Sequence, residues 1–135
     1  MSGFLDTSIL VRYLTGDPND LAERAAQIID AEDDLQLTDV VLAETAYVLT
    51  SVYQVPRELV VDHLITFLQK QNISPYSLDK DLVLQALLMC RPSGRISFAD
   101  SMIWAAARSA GSPVVYSLDR RFPGDGLEVR GELET

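Results

Sequence analysis

Short apolar runs of strand length alternate with amphipathic helical stretches along the whole chain, and this alternation restricts the folds that it can adopt. Parallel strands need helical crossovers between them, whereas antiparallel strands can be joined by tight turns. A chain of 135 residues can bury one substantial core, and no repeat or low-complexity segment divides it. We therefore predict a single α/β domain over residues 1–135, a three-layer α/β/α sandwich around a mostly parallel sheet of about five strands.

Hydrophobic periodicity and start and stop residues place the individual elements. Asp17-Pro18 predicts a helix start with proline in the first helical position, and Gly111 predicts a helix stop. The expected strands are Gly3–Leu5, Leu35–Thr38, Ile73–Tyr76, Pro113–Ser117 and Leu127–Val129. The expected helical stretches are Ile9–Leu14, Asp17–Ala31, Asp39–Val52, Pro56–Gln71, Asp79–Cys90 and Ser97 to the stop at Gly111.

Composition disfavours several classes of function. Cys90 is the single cysteine and lies in an apolar run, which predicts a buried thiol in a reducing compartment. His63 is the single histidine, so the chain cannot build a histidine-based zinc site. No apolar run approaches the length of a membrane span and the N-terminus lacks a signal-peptide pattern, so we expect a cytoplasmic protein.

The net charge of −9 is unusual for a protein that binds nucleic acid, because such proteins usually present a basic surface. The excess of acids lies in residues 1–90, which hold 14 acidic and 5 basic residues, whereas residues 91–135 hold 6 of each. The later part of the chain therefore allows a local phosphate-binding surface. Its candidate residues are Arg91, Arg95, Arg108, Arg120 and Arg121.

Two acidic residues directly follow predicted strands. Asp6 comes after Phe4 and Leu5, and Asp119 follows the apolar run from 114 to 118. Ligands of open α/β sheets bind just beyond the carboxyl ends of the strands, which favours a functional role for both carboxylates. The structural alternatives are a helix cap for Asp6 and a turn beside Arg120 for Asp119.

Glu44 interrupts an apolar helix face. Val40 and Val41 precede it and Tyr47 and Val48 follow it, so we expect Glu44 on the face that packs against the sheet. A buried carboxylate needs a basic partner, a proton or a metal ion, and a metal ion is the interpretation that we favour.

Asp100 lies three residues after Ser97, which fits an acid in the first turn of a capped helix. Ile103, Trp104 and Ala107 follow on the same face, so we expect this carboxylate to point towards the core as well.

In a three-layer fold the four acidic positions can converge at the carboxyl edge of the sheet. Oxygen ligands select Mg²⁺ or Mn²⁺ over zinc, and such a site can activate water and stabilise charge on a phosphodiester. Like charges held close together raise one another's pKa, so we expect raised carboxyl pKa values in the metal-free cluster. No P-loop, glycine-rich dinucleotide motif or Gly-x-Ser-x-Gly motif offers a competing assignment.

The sequence resembles the PIN-domain nucleases, and among them the VapC-type toxin ribonucleases of VapBC toxin–antitoxin modules. The matching stretches are Phe4–Ser8, Thr38–Glu44, Ser97–Asp100 and Tyr116–Phe122, in this order over almost the whole chain. The resemblance implies a five-stranded parallel sheet and a Mg²⁺-dependent endoribonuclease that cuts RNA with metal-activated water. It also implies a homodimer built through the early helices and a small antitoxin partner that blocks the site.

By the same resemblance Asp6, Glu44, Asp100 and Asp119 form the acidic site. Asp6 and Asp100 are the first choices as direct metal ligands, and Asp119 completes the site directly or through water. Glu44 is a further ligand or orients the attacking water. The hydroxyls expected to support Asp6 and Asp119 are those of Thr7, Ser8 and Ser117.

Two other functions stay open. A catalytically inactive PIN-like module would bind RNA or protein without cutting it. An acid-pocket receiver or phosphatase would be phosphorylated on Asp6. A receiver needs a lysine after a late strand, but in this chain Arg120 follows Asp119. A phosphatase of that type needs a second acid two residues after the first, and this position is Ser8.

Overall fold

The computed structural model describes residues 2–112 and 114–132. Helices and strands alternate in it much as the sequence predicts. In chain order the elements are β1 (Ser2–Phe4), α1 (Thr7–Thr15), α2 (Asn19–Ala31), β2 (Asp34–Leu37), α3 (Asp39–Ser51), α4 (Arg57–Leu68), β3 (Ile73–Pro75), α5 (Lys80–Cys90), α6 (Phe98–Ala110), β4 (Val114–Tyr116) and β5 (Glu128–Arg130). The α/β class is therefore confirmed. The first residue of the predicted strand Pro113–Ser117 lies outside the described residues.

All the described strand pairs are parallel, as predicted, but they form two sheets. The first sheet has the order β1-β2-β3, and β4 pairs with β5 in the second. The expectation of one sheet of about five strands is therefore wrong for the described residues. The strands β1, β4 and β5 are three residues long and incompletely buried, so each offers few ladder bonds and little apolar area to hold a continuous sheet together.

The helix starts are fixed by local side-chain caps. Asp6, Thr38, Asp79 and Ser97 each accept a backbone N–H of the first turn that follows. The prediction of Pro18 in the first helical position is wrong. Pro18 is the extended N-cap residue of α2, and its carbonyl accepts the N–H of Ala22.

The core lies between the first sheet and the helices, with Trp104, Leu10 and Leu64 among its fully buried side chains. Cys90 is buried, as predicted, and this burial raises the pKa of its thiol. No helix in the described ranges combines the length and the apolar character that a membrane span requires.

Helix α3 turns a different face to the core from the one predicted. Leu42, Ala46 and Leu49 are buried, whereas Val40 and Tyr47 are about two-thirds exposed, at 67% and 66%. Glu44 lies on the exposed side, so its expected burial against the sheet is wrong. Because α3 is apolar on both sides, the identity of its neighbours does not reveal which side packs inward.

This choice of face predicts a clear difference between two truncations. Leu42→Ala removes a side chain that is 1% exposed and should lower the free energy of unfolding by about 2–5 kcal/mol. Val40 lies two residues from Leu42 on the exposed side of α3. Val40→Ala should therefore lower the free energy of unfolding by less than about 1 kcal/mol. Urea unfolding of both variants measures the difference, and equal losses would contradict the described face.

Candidate active site

Asp6 stands where β1 passes into α1. Its carboxylate caps α1, and Oδ2 accepts the hydroxyl of Ser8 at 2.8 Å and the Ser8 N–H at 3.4 Å. The structural alternative of a helix cap is therefore correct for Asp6. It does not exclude a second role, because a carboxylate has about four acceptor positions.

Asp6 shares an open groove of about 600 Å³ with Glu44. Helix α1 supplies one wall and helix α3 with the segment after it supplies the other. The residues of this Asp6–Glu44 groove are Asp6, Thr7, Ser8, Val11, Arg12, Glu44, Tyr47, Val48, Val52 and Tyr53. Two of the predicted acidic residues, 38 positions apart in the sequence, are thus brought to one concave surface.

Asp100 does not line this groove. It lies half-buried in the first turn of α6, where its backbone N–H donates to the Ser97 hydroxyl at 3.0 Å. The capping motif predicted from the three-residue spacing is therefore present.

Asp119 belongs to a turn after β4. Its Oδ1 accepts the N–H of Arg121 at 2.9 Å and lies 3.7 Å from the Arg121 Nε. Ser117 accepts the backbone N–H of Asp119 at 3.1 Å, so its hydroxyl contacts the Asp119 backbone. Asp119 lines a second cavity of about 490 Å³ together with Arg120. The turn that was the structural alternative for Asp119 is present.

The described geometry therefore joins Asp6 and Glu44 but leaves Asp100 and Asp119 outside their groove. In residues 2–112 and 114–132 no three side chains of histidine, cysteine, aspartate or glutamate are grouped so that they could hold a metal ion. The convergence of all four acids is not seen there, and the functional roles of Asp100 and Asp119 stay predictions.

The side chains that line the Asp6–Glu44 groove nevertheless include the types of ligand that a magnesium ion prefers. Mg²⁺ in proteins keeps several waters and is usually bound through one or two carboxylates. The groove supplies two carboxylates and the hydroxyl of Ser8, all of them hard oxygen donors. The Thr7 hydroxyl oxygen is buried and has no hydrogen-bond partner in the described part of the chain, which leaves an acceptor beside Asp6 unsatisfied.

The pKa of Asp6 is lowered, which corrects the expectation of a raised pKa for this carboxyl. The Ser8 hydroxyl bond is the largest cause, followed by backbone N–H groups of Ser8 and Thr7. These donors favour the charged form, while solvent around the exposed carboxylate screens it from other acids. Asp6 is therefore ready to act as an anionic ligand.

The arginines predicted to contact phosphate are not found in the Asp6–Glu44 groove. Arg91 forms a double hydrogen bond with Asp62, and Arg121 pairs with Asp119. Arg108 stacks on Trp104, Arg95 lies exposed in the loop before α6, and Arg120 lines the second cavity.

Sequence reasoning missed Arg12, the arginine that does line the groove. Its position on the same short helix that Asp6 caps was the available signal. Because residues 1–90 hold far more acidic than basic residues, the search for phosphate-binding arginines was directed to the later part of the chain.

Comparison with known proteins agrees with the α/β fold. The family model of the PIN domain matches residues 3–124. The chain belongs to the PIN domain family. PIN domains are generally nucleases and typically depend on divalent metal ions. No curated protein matches the chain.

The cause of the lowered Asp6 pKa can be tested in this PIN domain with Ser8→Ala. The variant loses the strongest donor to the carboxylate, so the pKa of Asp6 should rise towards its ordinary value. Because the folded pKa lies below the unfolded one, the stabilisation is present above the unfolded pKa and is lost as pH falls through the folded pKa. The stability lost on acidification should therefore be smaller in Ser8→Ala than in the wild type.

Carboxyl NMR titration of Asp6 measures the shift, and thermal melts between neutral and acid pH measure the stability. Ser51→Ala, at the exposed end of α3, is the matched control. An Asp6 pKa that is the same in wild type and Ser8→Ala would show that another group sets it.

Proposed function

We propose that this PIN domain is a Mg²⁺-dependent endoribonuclease, with Mn²⁺ as a substitute, and the toxin of a type II toxin–antitoxin system. The observation behind the proposal is the shared groove of Asp6 and Glu44 in a chain that matches the family model over residues 3–124. The four-acid pattern of the sequence supports the same function.

Both carboxylates of the groove have a task in this function. Asp6, ionised and fixed by Ser8, would hold the metal ion, and Glu44 would hold it too or orient the attacking water. When bound, a divalent cation supplies an activated nucleophile and offsets the charge that develops on the phosphodiester. Asp100 and Asp119 complete the proposed acidic set on the strength of the family resemblance.

Replacing single acids should remove cleavage and leave the fold intact. Asp6→Asn, Glu44→Gln and Asp100→Asn should each lower the rate on RNA at least about 100-fold, because losing even an outer partner of a metal site costs about 10- to 100-fold. Asp30→Asn and Glu23→Gln make the same changes at exposed positions of α2 and should leave the rate unchanged. EDTA should stop the wild type, and Mg²⁺ or Mn²⁺ should restore it.

The measurement is the rate of RNA cleavage by purified protein, with circular dichroism as the check on folding. Wild-type rates in folded Asp6→Asn and Glu44→Gln would contradict the site. Undiminished cleavage in excess chelator would contradict the role of the metal.

A second candidate is a PIN-like module that binds RNA or protein without cutting it. It is favoured by the position of Asp100 and Asp119 outside the Asp6–Glu44 groove. Binding of RNA by the wild type, with no cleavage in Mg²⁺ or Mn²⁺, would establish this candidate and reject the nuclease.

The groove also suits the proposed antitoxin. Its wall carries apolar side chains such as Val48 and Val52, with Tyr47 largely exposed, beside the carboxylates of Asp6 and Glu44. An amphipathic segment with one basic side chain would match both features. The proposed homodimer would form elsewhere on the early helices.

We therefore expect the product of the neighbouring gene to co-purify with the chain and to inhibit RNA cleavage. Glu44→Gln should weaken the complex by about tenfold, because it removes one charge facing the basic side chain. Affinity and inhibition can be measured with the co-expressed pair. Harmless expression of the chain alone, with no small partner bound, would contradict the toxin role.

A further inference from the structure

Arg12 lies on α1 and lines the same groove as Asp6 and Glu44. Its Nη1 donates to the backbone carbonyl of Asp17 and to the hydroxyl oxygen of Tyr53, each at 3.3 Å. The Tyr53 hydroxyl in turn donates to Oδ2 of Asp17 at 3.4 Å. The Nη1 group of the guanidinium is therefore fixed by Asp17, just after α1, and by Tyr53, just after α3.

The opposite edge of this guanidinium has unused donors. Both bonds of Arg12 are made by Nη1, and neither Nε nor Nη2 has a partner in residues 2–112 and 114–132. The Nε–Nη2 edge is the fork that matches two oxygens of a carboxylate or phosphate. Arg91 uses this same edge to bind both oxygens of Asp62, at 2.9 Å each.

Within the described part of the chain, the guanidinium of Arg12 also forms no ion pair with an acidic side chain. Its two acceptors are a carbonyl and a phenol, and the Asp17 carboxylate is bonded to Tyr53. By contrast, Arg91, Arg121 and Arg130 are paired with acids. Arg12 thus brings a positive charge with a vacant hydrogen-bonding edge into the groove of the proposed acidic site.

We propose that Arg12 is the residue that binds a phosphodiester group of the RNA substrate, and that Tyr53 and Asp17 are positioning residues for it. This inference rests on the proposed ribonuclease function and names the substrate group that the groove recognises. Two oxygens of one phosphate accept from Nε and Nη2, which fixes the strand beside Asp6 and Glu44 without reading its sequence.

The test is the salt dependence of kcat/KM on a single-stranded RNA oligonucleotide with Mg²⁺, between about 50 and 200 mM KCl. Arg12→Gln should lower kcat/KM about tenfold or more, with KM rising by more than kcat falls. The slope of log kcat/KM against log salt should become shallower by about 0.7, the contribution of one phosphate contact on a single strand.

Matched variants separate this role from a structural one. Arg24→Gln makes the same charge change at an exposed position of α2 and should leave the slope at the wild-type value. Arg12→Lys should keep the slope while lowering kcat/KM, since a lysine keeps the charge but not the fork. Tyr53→Phe should lower kcat/KM less than Arg12→Gln and also keep the slope.

A slope for Arg12→Gln equal to that of wild type and Arg24→Gln would overturn the inference while leaving the ribonuclease proposal standing. If Arg12→Gln does not fold, an undiminished kcat/KM in Arg12→Lys overturns the inference instead, because the fork would then be dispensable. A wild type that does not cleave RNA rejects the ribonuclease function, and the inference with it.

Discussion

The arrangement of the groove depends on the abrupt passage from β1 into α1. Leu5 still donates to Gln36 of β2 at 2.9 Å, and the next residue, Asp6, already caps the helix. Only Leu5 and Asp6 separate β1 from α1, so the capping carboxylate must stand at the carboxyl end of β1. The same passage directs α1 along α3, and this gives Asp6 a common groove with Glu44.

A carboxylate in this position can serve folding and chemistry together. The two bonds from Ser8 both reach Oδ2, which leaves acceptor capacity on Asp6 for a further ligand. The bonds that cap α1 also lower the pKa of Asp6, so the group stays anionic over the pH range in which a cation would bind. The helix cap and the proposed ligand are therefore compatible descriptions of one side chain.

The sequence predicts those features of the fold that depend on local chemistry. The helices and the caps at Asp6 and Ser97 follow from periodicity and from residue types within one turn. The division into two sheets does not, because it depends on whether short outer strands meet across the fold. Local patterns carry no information on that long-range pairing.

The site shows the same limit. Asp6 is found at a strand end because strand ends are visible in the sequence, whereas the side of α3 that carries Glu44 was misjudged. Leu42 and Ala46 face inward and Tyr47 faces out, yet all three are apolar enough for either side. Arg12 was missed because its anchor Tyr53 lies 41 residues away and meets it only in the folded chain.

Net charge is a weak guide to what this groove can bind. At physiological salt, charges more than about 8 Å apart in solvent are largely screened, so much of the −9 acts on other parts of the surface. A phosphate that enters the groove responds to the few charges beside it. Asp6 and Glu44 repel it until a cation is bound, while Arg12 attracts it through an unused edge. Under the proposed ribonuclease function, a metal ion and that guanidinium would act together on the RNA in this groove, so substrate binding and readiness for cleavage would be coupled at one place.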